Sequence, residues 1–181
     1  MQPPTEESSR RSETAARNYG AGAQVVALAV FLAASALVAW LGAFATVANV
    51  NGWYVAADKA PWTPPNGVFG PVWTALYTAM AVAAWLVWRR RVPESRGALL
   101  TYGVQLALNL SWTPVFFGLY PVLGSTALWL AFAIILALIV AVTATVLRFG
   151  PISKAAGLLL LPYVTWIVFA ASLNLWAALN N

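Results

Sequence analysis

Five apolar runs of more than twenty residues, separated by short polar or proline-bearing joints, limit this chain to one kind of fold. They cover approximately residues 24–47, 68–88, 98–119, 122–147 and 152–177. A helix needs about 20 apolar residues to cross the hydrocarbon core of a bilayer. A segment in lipid must also satisfy its own backbone hydrogen bonds, which open strands cannot do. The runs are too long and continuous for a soluble core. The expected architecture is an all-α integral membrane protein, a five-transmembrane-helix bundle. Composition agrees, with 61% hydrophobic and only 8% charged residues, well outside the range of soluble domains.

Residues 1–22 mix Pro, Glu, Ser, Arg and Gly. They lack the apolar surface to fold and read as a disordered polar tail. Glu6, Glu7 and Glu13 interrupt the basic residues there, which argues against a transit peptide, so the first run reads as a retained signal anchor. Arg10, Arg11 and Arg17 precede that run. Arg89, Arg90, Arg91 and Arg96 fill the second connection, and Arg148 and Lys154 flank the joint after the fourth run. The opposite side carries only Lys59. The positive-inside rule then places the amino terminus in the cytoplasm and the carboxyl terminus outside, as expected for a bacterial cytoplasmic membrane. The net charge of +5 is topological, and no nucleic-acid partner is expected. Tyr120 to Leu123 reads as a tight turn, and Gly150-Pro151 as the break before the last run. The loop over residues 48–67 is long enough to fold across the bundle as a cap.

The chain has ten tryptophans but neither histidine nor cysteine. Disulfides, thiolate nucleophiles and haem ligation by His or Cys are excluded, as are Ser-His, Cys-His and paired-carboxylate catalysis. No metal site is expected. Between Gly97 and Leu147 there is no Asp, Glu, Lys or Arg, which disfavours proton-coupled transport. Flat aromatic faces remain as the recognition tool. Helical spacing groups Trp73 with Tyr77 and Met80, Gln105 with Asn109 and Trp112, and Tyr163 with Trp166, Ala170 and Asn174. An amide in hydrocarbon is costly unless it faces protein or a cavity, so Gln105 and Asn109 should point inward and carry Trp112 with them. Pro114 and Pro162 each remove a helical hydrogen bond and can widen a pocket. A lone tryptophan near an interface is usually a belt anchor, a role that suits Trp85, Trp88, Trp129 and Trp176. Trp73, Trp112 and Trp166 sit deeper, and with Trp53 and Trp62 of the loop they can converge at one end of the bundle. Lys59 is the one cation on that side. Gly103 and Ala107 form a small-xxx-small pair suited to a homodimer interface.

Three stretches carry a resemblance. They are Trp53-Tyr54 through Lys59 and Trp62-Thr63-Pro64-Pro65 to Trp73; Asn109-Leu110-Ser111-Trp112-Thr113-Pro114-Val115-Phe116-Phe117; and Leu161-Pro162-Tyr163-Val164-Thr165-Trp166 with Leu173-Asn174. In these the chain resembles the TspO/MBR family of tryptophan-rich sensory and translocator proteins, over about residues 25–176. The resemblance implies a five-helix bundle, often dimeric, whose first loop covers a ligand cavity. Expected ligands are tetrapyrroles such as protoporphyrin IX and haem, sterols, and isoquinoline-carboxamide or benzodiazepine-type drugs; no cofactor is required. By motif position Trp53 and Tyr54 are implied cap contacts, and Trp73 and Asn109 the pair that hydrogen-bonds a ligand carbonyl. Tyr77, Trp112, Trp166 and Ala170 are implied walls. Light-dependent porphyrin breakdown, known for some members, would fall on Trp73 and Trp166. No Lys or Arg follows Lys154, so the carboxy-terminal cholesterol-recognition pattern of animal members is absent.

Overall fold

A computed structural model describes residues 20–181. Residues 1–19, with most of the predicted tail and Arg10, Arg11 and Arg17, lie outside the described residues. The rest is helical: α1 (Ala21–Val50), α2 (Trp53–Ala56), α3 (Asn66–Trp88), α4 (Glu94–Thr113), a π-helical turn (Pro114–Gly118), α5 (Tyr120–Leu123), α6 (Ser125–Ile152) and α7 (Lys154–Asn180). No strand occurs among the described residues. Residues Ala21–Phe44 of α1, together with α3, α6 and α7, are long and apolar enough to cross a membrane. The remaining long helix, α4, has 20 residues but is less apolar. Its polar residues are largely turned into the protein: Ser95, Gln105 and Asn109 are all buried.

The long helices close a ring. α1 packs on α3 and α4, α3 on α7, α7 on α6, and α6 on α4. Toward the end that carries Arg89–Arg91 the ring is filled solid. Met80, Ala83, Ala84 and Val87 of α3 meet Ala98 and Tyr102 of α4, Val142 and Phe149 of α6, and Leu160 and Tyr163 of α7. Two interhelical hydrogen bonds fix α1 here: Trp85 Nε1 donates to Gln24 O at 3.1 Å, and Ser35 and Tyr102 share a bond of 2.9 Å. Arg89 stacks on Trp85 at 4.7 Å, so Trp85 is an interhelical tie as well as a ring near the membrane surface. At the loop end a second, smaller cluster forms around Phe116, Leu128 and Ala177. Space is left between the two.

Two joints differ from expectation or refine it. Pro114 has no N–H and opens a π-helical turn, in which Leu119 N–H donates five residues back to Pro114 O at 3.1 Å. The chain then reverses at Gly124, whose φ of +56° favours glycine. The predicted break at Gly150-Pro151 is corrected. Helix α6 runs through both residues to Ile152, and the break falls at Ser153, extended at φ −153° and ψ 109°. Ser153 Oγ accepts from Ala156 N–H at 3.4 Å and caps α7. Gly150 serves packing instead: a Cβ on Gly157 would lie 3.0 Å from Gly150 Cα, so α6 and α7 touch backbone to backbone.

Candidate functional site

At the loop end the bundle holds a cavity of about 620 Å³. Its wall comes from α1, α2, α3, α4, the π turn and α7, while α6 contributes nothing. Helical phase explains the convergence. Trp73 and Tyr77 stand one turn apart on α3, Asn109 and Trp112 on α4, and Trp166 and Ala170 on α7. Each pair therefore presents one face, and all six residues line the hollow.

The rings brace one another. Trp73 meets Trp166 edge to face at 6.5 Å, and Phe69 meets Trp166 at 5.8 Å. Trp73 leans on Tyr77 at 5.5 Å. Across the cavity, Trp112 stacks on Phe116 at 5.0 Å with planes 22° apart. Such pairs contribute roughly 0.5–1.5 kcal/mol each beyond the area they bury, and they fix the indole faces around the hollow.

Two amides tie the wall together. Tyr77 O–H donates to Asn109 Oδ1, and Asn109 Nδ2 donates to the Tyr163 hydroxyl at 2.8 Å. Trp112 Nε1 donates to Asn174 Oδ1 at 3.0 Å, and Asn174 Nδ2 donates to Leu128 O at 3.0 Å, joining α4, α7 and α6. Trp166 Nε1 is buried with no hydrogen-bond partner, and an unmade hydrogen bond of that kind costs about 1–3 kcal/mol. The lining includes Asn66, Asn109, Asn174, Thr46, Thr74 and Thr113 but no Lys, Arg, Asp or Glu. The site is neutral and amphipathic. Burial raises the Tyr54 phenol above its ordinary value of 10.0, so it faces the cavity uncharged. Among the described residues no group of His, Cys, Asp or Glu is arranged to hold a metal ion.

Tyr54, Trp73, Tyr77, Asn109, Trp112, Trp166 and Ala170 line the cavity as a group. Four predicted contacts do not. Gln105 is fully buried one turn below Asn109, its Nε2 3.5 Å from Met80 Sδ. The rule that an intramembrane amide faces inward held for it, but inward there means solid core. Tyr163 is likewise fully buried, beneath the floor, and reaches the site through its bond from Asn109 and an edge contact with the Trp73 ring at 6.1 Å. Trp53 packs behind the cap, stacked on Tyr120 at 3.8 Å with Nε1 donating to Phe117 O at 2.9 Å. Trp62 lies over the end of α7, where Nε1 donates to Ser172 Oγ at 3.2 Å and the ring meets Trp176 at 5.4 Å. Trp176 is therefore part of this packing and not a simple belt anchor. Lys59 caps Val55 O at 3.3 Å and sits 5.0 Å over the Tyr54 ring.

Sequence reading missed the wall supplied by α1, from Ala39 to Val50, and Phe69, and it gave no role to Phe116 and Phe117 of the second motif, which complete the aromatic rim. Small residues give α1 its close approach: a Cβ on Gly42 would lie 3.5 Å from Thr113 Oγ1. Asn174 carried a usable signal, being an amide inside an apolar run like Asn109.

The sequence model of the TspO/MBR family matches residues 29–179. The chain is 35% identical over 158 residues to the Tryptophan-rich protein TspO of Archaeoglobus fulgidus, covering 87% of this chain and 98% of that one. It is 38% identical over 151 residues to the Tryptophan-rich sensory protein of Cereibacter sphaeroides, covering 83% and 89%. It is 36% identical over 143 residues to the human Translocator protein, covering 74% and 80%.

Proposed function

This chain belongs to the TspO/MBR family, and from that premise we propose that its cavity binds tetrapyrroles such as protoporphyrin IX and haem in a sensory or transport role. Membership supports an integral membrane protein of that broad kind. The observation that carries the tetrapyrrole reading is a neutral hollow of about 620 Å³ whose walls are indole and phenyl faces. A planar macrocycle stacks on such faces without needing a charge partner. The volume falls in the range of roughly 300–1,000 Å³ usual for small-molecule sites. Haem would be held by its ring with Tyr, Met80 or no axial ligand at all, since the wall offers neither His nor Cys; of these, Tyr54 and Tyr77 line the cavity. No cofactor is required.

The same reading takes α4 as a fifth crossing helix, because its polar residues face protein and the ring closes only with it. The arginine end then faces the cytoplasm of a bacterial membrane and the loop end faces outside. Gly103 and Ala107 lie exposed on α4, and a side chain added at Gly103 meets nothing within 4 Å, which supports that surface as the homodimer contact. Sterols and isoquinoline-carboxamide or benzodiazepine-type ligands fit the same neutral wall.

Titrating purified protein with protoporphyrin IX and following tryptophan quenching tests the proposal. Saturable quenching that weakens in Trp73→Phe and Asn109→Ala is expected. Quenching that rises linearly and ignores both substitutions would reject a specific site.

A second reading, photo-oxidative porphyrin breakdown, is favoured by the edge-to-face contact of Trp73 and Trp166 with its unpartnered indole nitrogen. Light-driven loss of porphyrin absorbance that requires both rings would favour it over reversible binding.

A further inference from the structure

The cavity wall is sealed unevenly. On α4, the π turn and α7 no lining residue is exposed: Asn109, Phe116 and Asn174 are buried, and Trp112, Thr113, Phe117, Trp166, Ala170 and Leu173 are half-buried. The exposed lining residues are confined to two neighbouring helices, Trp40, Ala43 and Val47 on α1 and Asn66, Gly70 and Thr74 on α3. Helices α1 and α3 are joined at the arginine end by the Trp85–Gln24 bond. Toward the loop end the exposed lining residues Ala43 and Val47 of α1 and Gly70 and Thr74 of α3 carry small side chains or none. Gly70 and Thr74 lie roughly 6 and 12 Å along α3 from its start, at 1.5 Å per residue. That depth reaches past the headgroups into hydrocarbon.

The loop end, by contrast, is fastened. Trp53 Nε1 donates to Phe117 O at 2.9 Å. Asp58 and Asn181 exchange two hydrogen bonds, Asp58 N–H to Asn181 Oδ1 at 2.8 Å and Asn181 Nδ2 to Asp58 O at 3.1 Å. Trp62 Nε1 donates to Ser172 Oγ at 3.2 Å. Tyr54, Phe116 and Phe117 close the hollow beneath these ties. A guest arriving from water must break several contacts at once, whereas one dissolved in the bilayer meets the exposed lining residues of α1 and α3.

We infer that the cavity is loaded sideways, through a mouth between α1 and α3 edged by Ala43, Val47, Gly70 and Thr74, and that its ligands are molecules already dissolved in the loop-side leaflet. The inference rests on the binding reading above and adds the route and the ligand's phase. The wall has no charged side chain to receive an ionic group, so a ligand with carboxylates enters ring first and leaves them at the headgroup level of the mouth. The cap loop acts as a fixed roof, not a gate.

Stopped-flow tryptophan quenching tests the route, with protein in phosphatidylcholine vesicles and protoporphyrin IX supplied from a second vesicle population. The observed rate should follow porphyrin mole fraction in the bilayer, and diluting the porphyrin with extra lipid at fixed total concentration should slow it in proportion. Gly70→Phe adds a ring at the mouth from a position where a Cβ meets nothing within 4 Å, and should slow association by tenfold or more. Ala43→Phe on the facing helix should do the same, which guards against one variant failing to fold. Asn181→Ala with Ser172→Ala, which together remove two of the three roof ties, should leave the rate unchanged, as should Asn181→Ala alone. Faster association in either roof variant, with no change in either mouth variant, would overturn the lateral route while leaving binding intact. Absence of saturable quenching in the unmodified protein would remove the binding reading and this inference together.

Discussion

The Trp112 indole N–H donates to the Asn174 side-chain oxygen across 3.0 Å, and that one bond couples the ring wall on α4 to α7. Asn174 is 1% exposed and spends its amide on Leu128 O of α6. One side chain thus registers three helices at the edge of the cavity. Asn174→Ala should leave the partly buried Trp112 indole without its partner and remove the extra bond to the Leu128 carbonyl, which keeps its place in the α6 ladder, costing about 1–3 kcal/mol. Denaturation in detergent reads the loss. A change below about 1 kcal/mol would mean the amide is not the joint it is taken to be.

Asn109 works between two phenols, and its removal should act on stability and binding together. Asn109→Ala frees Tyr77 and Tyr163 from their shared partner, so a loss of about 2 kcal/mol in stability is expected. Trp73→Phe keeps an aromatic face and should weaken protoporphyrin IX by roughly threefold to tenfold. Parallel titration and unfolding curves separate the two effects. A binding loss in Trp73→Phe as large as in Asn109→Ala would contradict this division.

Two glycines of the bundle should respond in opposite ways to the same substitution. A Cβ on Gly157 lies 3.0 Å from the Gly150 backbone, so Gly157→Leu should force α6 and α7 apart and cost about 1–3 kcal/mol or more. Gly103 faces open space, so Gly103→Leu should fold normally and instead lower the mass of the particle in detergent. A dimer that survives Gly103→Leu would rule out that α4 surface.

The cap should loosen in alkali. Burial raises the Tyr54 phenol above 10.0, so the folded state holds that proton more tightly than the unfolded chain. Its share of stability is complete below about pH 10 and declines as pH climbs beyond it, because the unfolded chain ionises first. Hydrogen exchange of residues 53–56 should stay flat in local protection from pH 7 to 9. Unfolding midpoints should then drop above pH 10, and a Tyr54→Phe variant should show a smaller drop. An identical alkaline profile in the variant would place the effect elsewhere.

Much of the site was legible because a helix has a fixed period. Trp73 with Tyr77, Asn109 with Trp112, and Trp166 with Ala170 follow from spacing alone, and all six face the hollow. The limits of the method show in Gln105 and Asn109, one turn apart on the same face of α4. Sequence treats them alike, yet one is sunk in solid core and the other borders empty space. The difference arises in the neighbouring helices, where Met80 fills the ring at one level and Trp73 stands back at the next. The loop was legible as a cap but not in detail, since Trp53 and Trp62 turn their N–H groups to Phe117 and Ser172 rather than to the cavity.

Taken alone, the amino-acid order decides that this chain is helical, which of its surfaces are apolar, where its cations gather, and that its chemistry excludes thiol, imidazole and buried carboxylate. Those are local properties, set by residue type and by a period of 3.6. Which helices become neighbours, and so where the ring is filled and where it stays hollow, was decided by tertiary packing. Small residues on α1, a π turn at Pro114 and a backbone contact at Gly157 set distances between segments far apart in the chain, and no periodicity within one segment encodes a distance to another.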